Sequence, residues 1–263
     1  RDQLQWLGEQ LGPVRDLEVL ADRLRALAGD QPPELLIGPV TRRLELEVDD
    51  RARPAHERMM AALDDPRYFQ LLDSLDRLAG DPAWTPLADL PAEEALPPLL
   101  SRAVHRVRRR ARRAADAPLV SLPGQAAGPS GDALDHVVAH RVDRQTALHD
   151  VRKAAKQARY AAETLEPVFG GPAARLADAM RTVQDVLGEQ RDAAIATGLL
   201  REIGIAAHLA GENAFTWGRM HAQEETAAAR LLEQAEPVLA QALRRKLRSW
   251  LPAPAHAGLN TSH

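Results

Sequence analysis

"LHDVRKAAKQARY", residues 148–160, places His149, Arg152, Lys153, Lys156 and Arg159 within eleven positions, with Asp150 the one acid, near its start. At 3.6 residues per turn these cations and Tyr160 fall within about 60–80° of His149 on one side or the other. Val151, Ala154, Ala155, Ala158, Ala161, Ala162 and Leu165 gather opposite them. The stretch therefore predicts an amphipathic helix whose buried stripe is mostly alanine, so neighbouring helices must come close. Like charges one turn apart repel by roughly 0.2–0.5 kcal/mol per pair. A cationic stripe about 15 Å long points to an anion outside the helix.

The same periodicity extends outward. Ala, Leu, Arg, Glu and Gln dominate, apolar residues recur at spacings of three and four, and no segment alternates with period two. The fold class is all-α. Breakers such as "GDQPP" (29–33), "DDP" (64–66), "FGGP" (169–172) and "AGEN" (210–213) divide the chain. Helices are predicted near 2–28, 34–63, 66–79, 92–115, 133–168, 173–203, 213–232 and 235–250. The Gly/Pro/Ser-rich stretch 117–132 reads as a linker between halves at 1–116 and 133–251, and 252–263 reads as a disordered tail.

Composition bounds the function. The chain has no cysteine, which excludes a disulfide scaffold and thiolate metal sites and fits a reducing compartment. No apolar run approaches the roughly 20 residues that span a bilayer. The expectation is a soluble, cytoplasmic protein. Net charge is −3, yet the cations are segregated, which predicts a localised positive surface. "LSRAVHRVRRRARRA" (100–114) sets Leu100, Ala103, Val104, Val107, Ala111 and Ala114 on one face and Arg102, Arg106, Arg109 and Arg113 on the other. Arg181, Gln184, Gly188 and Arg191 form a further stripe, and Gln241, Arg244, Arg245 and Arg248 another. Arginine suits planar bidentate contact with phosphate and lysine acts as a point charge. Repeated stripes suit a repeated, extended polyanion. Reversing Arg23 and Arg25, outside these stripes, is expected to matter little.

An internal repeat accompanies the stripes. "LQWLGEQLGPVRDLEVL" (4–20) and "MRTVQDVLGEQRDAAIA" (180–196) align without gaps, matching Leu11-Gly12 to Leu187-Gly188 and Arg15-Asp16 to Arg191-Asp192. L-G-x-x-R-D twice points to duplicated helical bundles. Gly12 and Gly188, inside helices, read as close-packing positions.

H-x-x-R-K-x-x-K-x-x-R-Y at 149–160, with "QDVLGEQRD" at 184–192, resembles the CHAD family, the conserved histidine α-helical domain. The order of helices is compatible over about residues 1–250. The resemblance implies two antiparallel helical bundles related by a pseudo-twofold around a basic central channel that binds inorganic polyphosphate. It implies targeting to polyphosphate granules and frequent fusion to a triphosphate-tunnel (CYTH) catalytic domain, hence association with a CYTH-type or other polyphosphate-metabolising protein. It makes His149, Arg152, Lys153, Lys156 and Arg159 expected channel residues, with Arg15 and Arg191 equivalent in the two halves. The chain departs from the family in starting inside the helix that follows the first histidine-basic helix, so such a helix is expected upstream.

Other readings are weaker. His149-Asp150 as part of a metal phosphohydrolase lacks further ligands at a convincing spacing. His136 and His140 in "HVVAH" lack the glutamate of H-E-x-x-H and read as structural. No P-loop or Gly-rich dinucleotide motif is present. No catalytic residue, metal or cofactor is expected. A nucleic acid binder would set aromatics among its cations, and only Tyr160 qualifies. Trp6, Trp84, Trp217 and Trp250 are scattered and read as core or boundary residues. Inositol polyphosphates, nucleic acid and an acidic protein partner remain alternative polyanions.

Overall fold

In the computed structural model, residues 2–116 and 131–252 are described, with side chains for 2–116 and 144–252. All regular structure among them is helical: α1 (Asp2–Gly29), α2 (Val40–Leu63), α3 (Pro66–Gly80), α4 (Ala92–Asp116), α5 (Gly131–Phe169), α6 (Gly171–Leu209), α7 (Phe215–Ala242) and α8 (Arg245–Arg248). Short 3-10 turns lie at Pro33–Leu35 and Pro86–Asp89. None of the described helices is long and apolar enough to cross a membrane.

Local chemistry sets the boundaries. Asp65 accepts from the Arg67 amide at 2.7 Å and Pro66 opens α3, an N-cap followed by a proline that needs no donor. Gly211 leaves α6 at φ 76°, and the Glu212 amide returns to the Ala207 carbonyl at 2.9 Å, closing the last turn. Two expectations fail on the same kind of detail. The helix predicted from 34 begins only at Val40, because Gly38 (φ 90°) precedes Pro39 and cannot continue a helix. The preceding loop is tied to α7, where Thr216 Oγ1 accepts from the Ile37 amide and donates to the Leu35 carbonyl. Conversely, the two helices predicted at 213–232 and 235–250 are mainly one, α7, which runs through Pro237. That proline is exposed, so the carbonyl it orphans can be hydrated.

The chain packs as two compact units. One comprises residues 1–84 and 192–228, the other 85–191 and 229–263. In the first, Leu20, Leu24, Leu44, Val48, Leu200, Ile203, Trp217 and Met220 form the core. In the second, α4 contributes Leu100, Val104 and Val107, α5 contributes Val151, Ala155, Ala158 and Leu165, and α6 contributes Leu176, Met180 and Val183. The apolar faces predicted for α4 and α5 are the buried ones, Ala111 and Ala161 being half-buried. These units partition the chain differently from the halves 1–116 and 133–251, because α6 and α7 each lend residues to both. Most of the linker 117–132 and the tail beyond Pro252 lie outside the described residues.

Ion pairs tie the first unit together. Arg43 clasps Glu212 with two hydrogen bonds, at 2.7 and 2.9 Å, and Arg25 clasps Glu45 at 2.9 and 2.8 Å. The hydrogen bonds from these arginines hold both carboxyls below the ordinary glutamate range. A folded pKa below the unfolded one gives stability that is complete above about pH 4.3 and is lost as pH falls through the lowered value. Glu212→Gln should therefore flatten the acid side of a plot of melting temperature against pH. An unchanged acid limb would remove this pair from the balance.

Candidate functional site

The cationic stripe of α5 has two dissimilar margins. On one, Arg152 lies over Gly188 of α6: a Cβ added to that glycine would stand 3.2 Å from Arg152 Nε. Two turns along α5, Arg159 Nη1 donates to Gln184 Oε1 at 3.2 Å. The histidine-basic motif and the L-G-x-x-R-D motif of α6 are thus in direct contact, and antiparallel. The buried Nε–H of Arg152 finds no acceptor among the described residues, an uncommon state for a buried donor. On the other margin, Asp150 pairs with Arg110 of α4. This pairing, forty residues apart in sequence, escaped the reading of stripes, which assigned Arg110 no role.

Between the margins Lys153 and Lys156 are exposed and pair with no acid among the described residues. Tyr160 is 47% exposed, with Lys156 Nζ 5.8 Å and the Arg159 guanidinium 4.9 Å from its ring centroid. Such exposed cation–π contacts are worth about 0.5–1 kcal/mol. His149 is half-buried and engaged with other groups of the fold. Arg144 also carries a buried Nε without an acceptor among the described residues, yet it sits about 140° around the helix from His149 and does not lengthen the stripe.

The remaining predicted residues divide clearly. Arg102, Arg106, Arg109 and Arg113 are exposed along α4 and form no ion pair among the described residues. Arg181 is held between Glu163 at 3.0 Å and Asp178 at 3.3 Å, and the Glu163 hydrogen bond makes it still harder to deprotonate. Arg191 is half-buried and engaged. Arg15 lies in the first unit, exposed and paired with Glu18 at 3.1 Å. The predicted C-terminal stripe is broken: α7 ends at Ala242, Arg244 is extended, and Arg248 turns back so that its Nε donates to the Leu243 carbonyl at 3.3 Å. Arg244 and Arg245 stay exposed. The side chains of His136 and His140 lie outside the described residues.

The two glycines of the repeat also part ways. Gly188 is a seat for a guanidinium, whereas a Cβ on Gly12 would meet nothing within 4 Å among the described residues. The close-packing reading therefore holds for Gly188 and fails for Gly12. Replacing an unconstrained helical glycine by alanine gains about 0.8–1 kcal/mol. Gly12→Ala should raise the melting temperature by about 2–4 °C, and Gly188→Ala should gain less because Arg152 must retreat. Equal gains in calorimetry would show that Arg152 does not rest on Gly188.

Comparison with known proteins bears on this geometry. The family model described as "CHAD domain" matches residues 1–201, so Arg244, Arg245 and Arg248 lie beyond it. Two uncharacterized proteins of Mycobacterium tuberculosis, from two strains, are each 34% identical over 238 residues, covering 90% of this chain and 41% of the relative. With its histidine-basic helix packed against its L-G-x-x-R-D helix, the chain belongs to the CHAD domain family.

Proposed function

We propose that this protein is a non-catalytic module that binds inorganic polyphosphate, in keeping with the family resemblance. One observation carries the reading: among the described residues Lys153 and Lys156 stand exposed and pair with no acid, beside Arg152, whose buried donor lacks an acceptor there. A chain of phosphates supplies closely spaced acceptors along such a row. His149, Arg159 and Tyr160 flank it, and Arg102, Arg106, Arg109 and Arg113, which form no ion pair among the described residues, are a second basic surface for the same ligand. The basic channel and pseudo-twofold implied by the resemblance belong to this proposal. So do a cytoplasmic location, granule association and work beside a CYTH-type or other polyphosphate-metabolising protein.

Isothermal calorimetry with linear polyphosphates of defined length tests the reading. Affinity should rise with chain length and fall steeply with salt, because each neutralised phosphate releases counterions. Polyphosphate should outcompete DNA and an acidic polypeptide at equal charge concentration. Preferential binding of either competitor would replace the ligand. Release of phosphate from tripolyphosphate or long chains with a divalent metal would overturn the non-catalytic part.

A further inference from the structure

The α5 stripe stops at an acid. Glu163 lies seven residues beyond Lys156, within about 20° of it around the helix, and thus on the same line as the cations. Its Oε1 alone receives two guanidiniums: Arg159 Nε at 3.1 Å from α5 and Arg181 Nη2 at 3.0 Å from α6. The Arg159 contact has the distance of an ion pair but not the angle of a hydrogen bond, and its buried Nε is left without a proper acceptor. Two guanidiniums converging on one anionic oxygen is an arrangement that a phosphoryl oxygen also satisfies. Here the protein supplies the anion itself.

We propose that Glu163 is a built-in counter-anion that ends the polyanion track, filling the place between Arg159 and Arg181 that the next phosphoryl group of a bound chain would take. This rests on the polyphosphate reading and deepens it. The ligand is read along His149–Tyr160 and excluded from Arg181, which in the unaltered protein is a partner of Glu163 and Asp178 rather than of the ligand. Glu163 then limits how many phosphates this helix engages.

The isosteric neutral variant Glu163→Gln removes the anion that the two guanidiniums share, leaving Arg181 with Asp178 and Arg159 with Gln184. Affinity for long polyphosphate at low salt should rise about 5–10-fold, and the slope of log K against log salt should steepen by about 0.7–1.4, the increment for one or two added phosphates on a single-stranded polyanion. Glu166→Gln makes the same change in net charge three residues further on, at an exposed side chain with no ion pair among the described residues, and should leave the slope unchanged. Arg181→Gln alone should also leave the slope unchanged, and in the Glu163→Gln background it should remove at least half of the gain. That single variant keeps the test open if Glu163→Gln folds poorly. A purely structural Glu163 would lower the melting temperature without steepening the slope. No gain in Glu163→Gln, an equal gain in Glu166→Gln, or a shallower slope in Arg181→Gln would each overturn the proposal. An unaltered protein that binds no polyphosphate would overturn the functional reading together with it.

Discussion

Lys153→Glu combined with Lys156→Glu should weaken polyphosphate binding about 100-fold or more. Hydrogen bonds to charged groups are worth roughly 1.5–3 kcal/mol each, so two lost contacts exceed the 2.7 kcal/mol or so that corresponds to a hundredfold change. The reversed charges add repulsion. Both lysines are exposed and form no ion pair among the described residues, so the variant should keep its fold, which circular dichroism would verify. The control must be chosen from the structure. Arg23 and Arg25 had seemed neutral positions, yet Arg23 donates to the buried Glu224 at 2.7 Å and Arg25 clasps Glu45. Reversing Arg23 would strand a buried carboxylate and cost about 3–5 kcal/mol. Arg58 and Arg230, exposed and without ion pairs among the described residues, make the matching change in net charge. If Arg58→Glu with Arg230→Glu weakens binding as much, the stripe is not the site.

The largest effect on stability should come from Trp217→Ala. Trp217 is 2% exposed among Leu24, Leu44, Leu200, Ile203 and Met220, and its Cβ stands 3.2 Å from where Gly204 would carry one. The backbone of α6 therefore already approaches as closely as a glycine allows. Removing the indole leaves a cavity that such a packed site closes only partly, at a cost of about 3–5 kcal/mol. That corresponds to a fall in melting temperature on the order of 10 °C. Trp84, 79% exposed, should change stability by no more than about 0.5 kcal/mol when replaced by alanine. Denaturant titrations giving similar losses for the two would contradict a core built around Trp217.

What was legible in advance followed from helical periodicity. The buried faces of α4 and α5 could be read because apolar and charged residues alternate with a period the helix imposes. Boundaries were harder where one backbone detail decides them, as at Gly38-Pro39, and where a proline sits harmlessly on a solvated face, as Pro237 does. Motif order identified the family and most of the stripe. It did not reveal that Arg152 rests on Gly188, that Arg110 takes up Asp150, or that Glu163 gathers Arg159 and Arg181. The pairings between helices lie 18 to 40 residues apart in sequence, which periodicity along one helix cannot encode; the Arg159–Glu163 pair, four residues apart within α5, lay within its reach. The Trp set was also uneven: Trp217 is core, whereas Trp6 lies under the Arg67 guanidinium and Trp250 packs on Phe169.

The alanine stripe of α5 has an engineering consequence. Ala154, Ala155, Ala158 and Ala162 are at most 5% exposed, so the inward face selects for small, uncharged side chains, a buried unpaired charge being strongly unfavourable, while positions 153, 156 and 160 face outward under little packing demand. The helix thus separates foldability from ligand choice at the level of single codons. A library that keeps the four alanines and randomises those three outward positions should yield mostly folded proteins that differ in the anion they hold, whereas randomising the alanines should yield few folded ones.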